Sequence, residues 1–153
     1  MATARQVAID WAGVMRALVR RAADSTAYLD VQTGELVHLT EGWSDDWGFS
    51  EQDLGEALAS GRLVAIEPVP LETELGWRRA FVATLEDDWP RDALESALGT
   101  EAPLAAFDAA LGRHPRERCA WLACRDARLQ AVLRAWLDAN DVQPLGEPPR
   151  VRP

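Results

Sequence analysis

Hydrophobic residues change their spacing partway along this chain, and the change indicates its fold class. From Ala27 to Leu39, apolar residues alternate with polar ones, which is the period-two pattern of β-strands. From Leu71 onward, apolar residues recur at spacings of three and four, which is the pattern of amphipathic helices. Because strand-like and helix-like segments are segregated, the sequence predicts an α+β fold.

The alternating segment is predicted to be a β-hairpin. Gly34 can supply the positive φ that a type I turn with a G1 bulge requires, so we expect the loop to comprise residues 32–34. That loop places Leu29 opposite Val37 on the core side. It places Tyr28 opposite His38 on the other face of the sheet.

A third strand is predicted from Arg62 to Glu67, where Pro68 and Pro70 stop it. Together with the hairpin it makes a small three-stranded antiparallel sheet. Between them, Ser50 is placed to cap a short helix with the sequence EQDLGEALAS.

Helices are predicted both before and after the strands in the sequence. An N-terminal helix begins near Thr3, with one apolar stripe formed by Val7, Trp11, Val14, Met15, Leu18 and Ala22. After Leu71, prolines and glycines divide the chain into a C-terminal bundle of about four helices. The last and longest of these is predicted from about Arg116 to Asn140.

The length and composition predict one domain. A chain of 153 residues with 48% hydrophobic residues can build one sizeable core. We place this domain at residues 1–142. The remaining segment, residues 143–153, is rich in proline and is predicted to be an extended or disordered tail.

The sequence also indicates a compartment and excludes classes of partner. No segment approaches the roughly 20 uninterrupted apolar residues of a membrane span. Arg5 and Asp10 interrupt the region where a signal peptide would be apolar, so we expect a cytoplasmic protein without a membrane partner. The net charge of -9 disfavours nucleic acid as a partner.

Cys119 and Cys124 lie five residues apart on a predicted helix and cannot form a disulfide with each other there.

The sequence contains no recognisable catalytic arrangement. Its two histidines, His38 and His114, lie in the hairpin and at a helix junction, without a nucleophile placed beside them by any known motif. The acidic runs at 45–46 and 86–88 are interpreted as solvated turns. We therefore predict no catalytic residue, no metal and no cofactor.

Aromatic residues crowd one predicted loop, in the segment EGWSDDWGF. Trp43, Trp47 and Phe49 fall within seven residues. Exposing them would leave a large apolar patch in water. They either cover the sheet or form a surface that binds a partner, and both interpretations stay open.

One arginine falls on the apolar face of the last helix. At 100° per residue, Arg125 lies near the middle of an arc formed by Trp121, Leu122, Leu129, Val132, Leu133, Trp136 and Leu137. A guanidinium there must be paired or must extend to solvent. Arg125 is either a buried structural residue, with Asp30 as its expected partner, or part of a site for an anion or a partner's carboxylate with Trp121 as its floor.

The order of these motifs resembles uncharacterised protein family 0158, a group of bacterial proteins without an assigned function. The matching segments are the hairpin YLDVQTGELVHL, the strand LVAIEPV, the helix PLAAFDAALGRHP and the terminal helix WLACRDARLQAVLRAWLDAN. The chain departs from the family pattern in its PLAAFDAALG helix, which keeps only Phe107 where the family has a basic, doubly aromatic run. The resemblance implies the order of elements and no chemistry.

Two hypotheses for the function follow. The first is a non-catalytic protein-binding or adaptor module, for which a second copy of the chain is one candidate partner. The second is a small-ligand or anion-binding protein, or an enzyme, that uses Arg125 together with the hairpin residues Tyr28, Asp30 and His38. The candidate binding residues are Arg125, Trp121, Asp30, Tyr28, His38, Trp43 and Trp47.

Overall fold

The structure is a computed structural model that describes residues 5–19, 25–40 and 51–146. It confirms the α+β class. In chain order, its elements are β1 (Arg5–Ala8), α1 (Trp11–Val19), β2 (Ser25–Asp30), β3 (Leu36–Thr40), α2 (Glu51–Ala59), β4 (Leu63–Ile66), α3 (Leu71–Ala83), α4 (Asp88–Leu98), α5 (Pro103–Leu111), α6 (Pro115–Ala139) and β5 (Val142–Leu145).

The predicted three-stranded antiparallel sheet is present, with strand order β3-β2-β4. The central strand β2 carries the most deeply buried residue of the sheet, Leu29, which is fully inaccessible to solvent. One face of the sheet packs on α2, where the buried residues Val37, Ala57 and Leu63 form an apolar cluster that Tyr28 and Leu39 extend.

The hairpin register differs by one residue from the prediction. Tyr28 lies opposite Val37, and Ala27 lies opposite His38. The predicted pairs, Leu29 with Val37 and Tyr28 with His38, are therefore wrong. The reason is the length of the loop: Asp30 and Glu35 form the last backbone pair, so the loop has four residues, 31–34, and a one-residue shift exchanges the two faces.

The N-terminal helix starts later than predicted. Residues 5–8 form a strand, and α1 begins at Trp11. Asp10 caps this helix, because its Oδ1 accepts a hydrogen bond of 3.0 Å from the backbone N–H of Gly13. The predicted start near Thr3 lies outside the described residues, but Val7 belongs to β1 and not to a helical stripe.

Strand β1 pairs in parallel with β5, at the other end of the described chain. The register joins Arg5 to Val142 and Ala8 to Leu145. Residues 143–145 of the expected tail are thus part of a strand, in which Val142 is 2% exposed. The sequence predicted no strand at either place.

The described residues group into two compact units. Unit 1 contains the strands, α1, α2 and the part of α6 from Leu129 onward, and unit 2 runs from Val69 to Arg128. Unit 1 is therefore interrupted in sequence by unit 2. The single domain at 1–142 stays a prediction.

Unit 2 consists of the predicted helices α3 to α5 and the first part of α6. Pro103 occupies the first turn of α5. A backbone N–H there has no partner within the helix, so the N–H that proline lacks is not missed. The unit has its own core, formed by Phe81, Val82, Leu94, Phe107, Leu111 and Trp121.

Among the helices described, none combines the length and the apolar character that crossing a bilayer requires. Both cysteines are free thiols on α6, with Cys119 exposed and Cys124 half-buried.

Candidate functional site

Asp30 closes the hairpin loop. Its carboxylate is buried, and Oδ1 accepts hydrogen bonds from the backbone N–H groups of Gln32, at 2.9 Å, and Thr33, at 3.3 Å. Arg62, which precedes β4, donates from Nη2 to Oδ2 at 3.1 Å and also from Nε. The expected pairing of Asp30 with Arg125 is therefore wrong, since Asp30 bonds Arg62 and the loop backbone instead.

These bonds determine the pKa of Asp30. Burial alone would raise the pKa, but the hydrogen bonds from Arg62, Gln32 and Thr33 stabilise the carboxylate more strongly. The pKa of Asp30 is consequently lowered from its ordinary value of 3.8. Because the Asp30 carboxylate already accepts these hydrogen bonds, its role is to hold the hairpin loop together.

Tyr28 and His38 are both half-buried residues of this sheet. Residues directly opposite each other in an antiparallel pair share a face, so Tyr28 lies on the face of Val37 and His38 on the face of Ala27. The two side chains therefore lie on opposite faces. Trp43 and Trp47, the other candidates that follow β3 in the sequence, lie outside the described residues.

In unit 2, Trp121 is the centre of an aromatic cluster. It is 1% exposed, and its ring centroid lies 5.4 Å from those of Phe81 and Phe107, in tilted and edge-to-face arrangements. Such geometries are the favourable ones for aromatic pairs. Trp121 is thus part of the core of unit 2.

A buried arginine, Arg78, lies over this cluster. It is 3% exposed, and its guanidinium carbon is 5.0 Å from the centre of the Trp121 ring and 5.4 Å from that of Phe107. One turn earlier on α3, the buried Glu74 provides its carboxylate at 3.6 Å and its backbone carbonyl at 3.2 Å. The cation is held by one ion pair and two aromatic faces.

The pKa of Arg78 is lowered, chiefly because burial disfavours its charged form, and also because Arg125 is nearby. The carboxylates of Glu74 and Asp108 oppose this effect. Arg78, Asp108 and Arg125 therefore belong to one electrostatic neighbourhood.

Sequence reasoning missed Arg78, although a signal was present. Leu75, Arg78 and Val82 follow one another at helical spacing, so Arg78 lies in the apolar stripe of α3 just as Arg125 lies in that of α6. Glu74 stands four residues before it, which is the spacing of a helical ion pair.

Arg125 is half-buried and lines an open cleft of about 400 Å³. We call this the α5–α6 cleft, and its lining is Asp108, Leu111, Gly112, Arg118, Trp121, Leu122 and Arg125. The Nε of Arg125 is buried and has no hydrogen-bond partner. Among the described residues, no carboxylate forms an ion pair with Arg125.

The groups lining the α5–α6 cleft are suited to binding. Two guanidinium groups supply donors for a carboxylate or another anion, and Asp108 supplies an acceptor. Leu122, which is 40% exposed, supplies most of the apolar surface, because Leu111 and Trp121 border the cleft from the core of unit 2. Serine, cysteine and histidine are absent from this lining, so it holds no nucleophile paired with a base.

Side chains that could ligate a metal ion do not cluster in the described parts of the chain. Within the three described ranges, no group of three or more histidine, cysteine, aspartate or glutamate side chains is arranged to hold such an ion.

Comparison with known proteins gives one informative similarity. The chain is 27% identical to a UPF0158 protein of Pseudomonas aeruginosa over 117 residues, which cover 76% of this chain and 74% of the relative. No family model matches the chain, and no solved structure matches it significantly. The similarity confirms the resemblance to uncharacterised protein family 0158 that the hairpin and the terminal helix indicate.

Proposed function

We propose that this protein is a non-catalytic, cytoplasmic module that binds another protein by accepting an acidic group of that protein in the α5–α6 cleft. The observation that carries the proposal is the state of Arg125. Its Nε–H is buried without an acceptor, and it lines a cleft that a ligand can enter.

An unsatisfied buried donor costs a free protein about 1–3 kcal/mol. A carboxylate placed in the cleft would form charge-assisted hydrogen bonds with the Arg125 guanidinium, which are stronger than bonds between neutral groups. Arg118 lies seven residues before Arg125, two helical turns away on the same side of α6, and adds a second cation to the same lining. The free protein is in this way prepared for an anionic partner.

The alternative, a small-ligand site or an enzyme that combines Arg125 with the hairpin residues, has less support. Asp30 is occupied by Arg62 and by the loop backbone. Tyr28 and His38 lie on opposite faces of the sheet and do not form one side of a pocket together. A nucleic acid partner is disfavoured by the net charge of -9.

The first experiment tests the cleft. Protein labelled with ¹⁵N is titrated with acetate and with a peptide rich in glutamate, and the resonances of the Trp121 indole and the arginine Nε–H groups are followed. We expect saturable shifts that Arg125→Gln abolishes. Arg116→Gln is the matched control, because Arg116 is an exposed arginine on the same helix that lines a different cleft.

The second experiment tests the protein partner. Tagged wild-type protein, Arg125→Gln and Arg116→Gln are used for affinity purification from the native cytoplasm. A partner kept by Arg116→Gln and lost by Arg125→Gln supports the proposal. If all three proteins recover the same partners in equal amounts, the cleft is not the interface. Light scattering of the purified wild-type protein and of Arg125→Gln tests whether that partner is a second copy.

A further inference from the structure

We infer that the occupant of the α5–α6 cleft is the free carboxyl-terminal end of a polypeptide whose last residue is apolar. This inference rests on the proposed function, since it specifies which acidic group the cleft accepts. Three observations carry it: the net charge of the lining, the variety of its groups and its size.

The charge of the lining matches a single negative charge. Arg118 and Arg125 contribute two positive charges and Asp108 contributes one negative charge, which leaves one positive charge to be neutralised. The nearby Glu74 and Arg78 form an ion pair and add no net charge. A carboxylate carries one negative charge, whereas a phosphate monoester carries about 1.5 to 2 and would be repelled more strongly by Asp108.

The variety of groups matches a terminal residue. The last residue of a chain bears a carboxylate, an N–H donor and a side chain on one α-carbon. The cleft offers guanidinium donors in Arg118 and Arg125, an acceptor in Asp108, and apolar surface chiefly in the exposed Leu122. An internal glutamate presents its carboxylate at the end of a flexible side chain and leaves the apolar part of the cleft unfilled.

The charge balance also distinguishes a peptide terminus from a free amino acid. A free apolar amino acid is neutral overall because of its ammonium group, whereas the terminus of a peptide is a monoanion.

The size of the cleft also suits a chain end. Its volume of about 400 Å³ is at the small end of the range for ligand sites, so it accommodates a chain end more readily than a folded loop.

The test compares peptides that differ in one group. A hexapeptide ending in leucine is prepared with a free carboxylate and with a carboxamide, and a third peptide has an internal glutamate and a carboxamide end. Dissociation constants come from calorimetry, and ¹⁵N spectra locate the binding. We expect the carboxamide and internal-glutamate peptides to bind at least about ten-fold more weakly than the free terminus, because each lacks the terminal ion pair. Free leucine is expected to bind more weakly as well.

Variants assign the effect to the cleft. Arg125→Gln and the exposed Arg118→Gln should each weaken the free-terminus peptide, and Arg116→Gln should not. Asp108→Asn raises the charge of the lining and should increase the affinity for inorganic phosphate. Far-ultraviolet circular dichroism and melting curves verify that each variant is folded. If Arg125→Gln does not fold, Arg118→Gln still tests the inference.

Different results overturn different claims. If the carboxamide peptide or the internal-glutamate peptide binds as tightly as the free terminus, the inference about chain ends is wrong. If it is the internal-glutamate peptide that binds as tightly, the proposed function, binding of an acidic group in the cleft, still stands. If no carboxylate perturbs the Trp121 indole or the Arg125 Nε–H, both the inference and the proposed function fail.

Discussion

Two residues in the hairpin loop, Gly34 and Asp30, have strict local requirements. Gly34 has a φ of 78° and approaches β1 so closely that a Cβ built on it would lie 1.8 Å from the carbonyl oxygen of Ala8. Asp30 holds the other side of the same loop through its carboxylate. The loop therefore depends on a missing side chain at one position and on a charge at the other.

Replacing Gly34 with alanine should cost more than backbone strain alone. Gly61 provides a matched control, since its φ is 77° and no atom lies within 4 Å of the position that a Cβ would take there. We expect Gly61→Ala to lower the free energy of unfolding by about 1–2 kcal/mol. Gly34→Ala should lose about 1–3 kcal/mol more, because the β1 backbone must move. Chemical denaturation measures both, and equal losses would contradict the close approach to Ala8.

Asp30 predicts a dependence of stability on pH. Its pKa is lower in the folded protein than in the unfolded chain, so its contribution is complete above the unfolded value, near 3.8, and is lost as the pH falls through the folded value. Asp30→Asn removes this contribution. The wild-type protein should therefore be the more stable at pH 7, and its advantage should shrink below about pH 4.

Urea denaturation of both proteins between pH 7 and pH 3 measures this advantage. Asp88→Asn is a suitable control, because Asp88 also pairs with an arginine, Arg91, but its side chain is 81% exposed. A constant difference between wild type and Asp30→Asn over the whole range would show that the Asp30 charge does not contribute.

Among the elements, α3, α5 and α6 are joined by the guanidinium of Arg78 and the rings of Phe107 and Trp121. Removing only the cation leaves Glu74 buried without it. Arg78→Met should lower the free energy of unfolding by about 3–5 kcal/mol. The double variant Glu74→Leu/Arg78→Met should recover most of that loss, because an apolar pair of similar volume avoids burying charge.

Thermal and chemical denaturation compare these variants with Asp88→Ala, which removes an exposed ion pair and should cost less than about 1 kcal/mol. If the double variant were no more stable than Arg78→Met, the loss would come from packing of the arginine stem and not from the loss of the ion pair with Glu74.

At the element scale, periodicity predicted much of this fold. It gave the hairpin, α2, β4 and the four later helices, because their apolar patterns extend over several turns or over a complete strand. It could not give the hairpin register, since Gly34 indicates a turn but not whether the loop has three or four residues. It could not give β1 and β5, because Val7 also fits a helical stripe, the segment after residue 142 is rich in proline, and their pairing joins distant segments.

The candidate site was predictable to a similar degree. The position of Arg125 on an apolar helix face was enough to identify it and Trp121. The position of its neighbours Asp108 and Arg78 depends on the packing of three different helices, which no local pattern encodes. Asp30 was expected to pair with Arg125, but its partner is Arg62.

For the whole molecule, the interrupted order of unit 1 is the main feature. Its strands β1 and β5 come from opposite sides of unit 2 in the sequence, whereas every member of the apolar core of unit 2 lies between residues 69 and 128. The two units therefore differ in how much of the chain each needs.

Fragments should reveal this difference. A fragment of residues 1–68 lacks β5 and the buried residues Leu129, Leu133 and Leu137, so we expect a poorly dispersed NMR spectrum. Addition of a peptide spanning residues 129–146 should restore dispersion. The control fragment, residues 69–128, is of similar length and retains its complete core, and we expect it to keep helical circular dichroism. A well-folded fragment 1–68 on its own would contradict this account.

The pairing of β1 with β5 also has a consequence for biosynthesis. β1 leaves the ribosome before all the other described elements, and its partner is translated only after α6 is complete. At about 5–20 residues per second, β1 waits on the order of ten seconds for β5. During that interval the backbone N–H and C=O groups of β1 that later pair with β5 are available to chaperones that act on nascent chains.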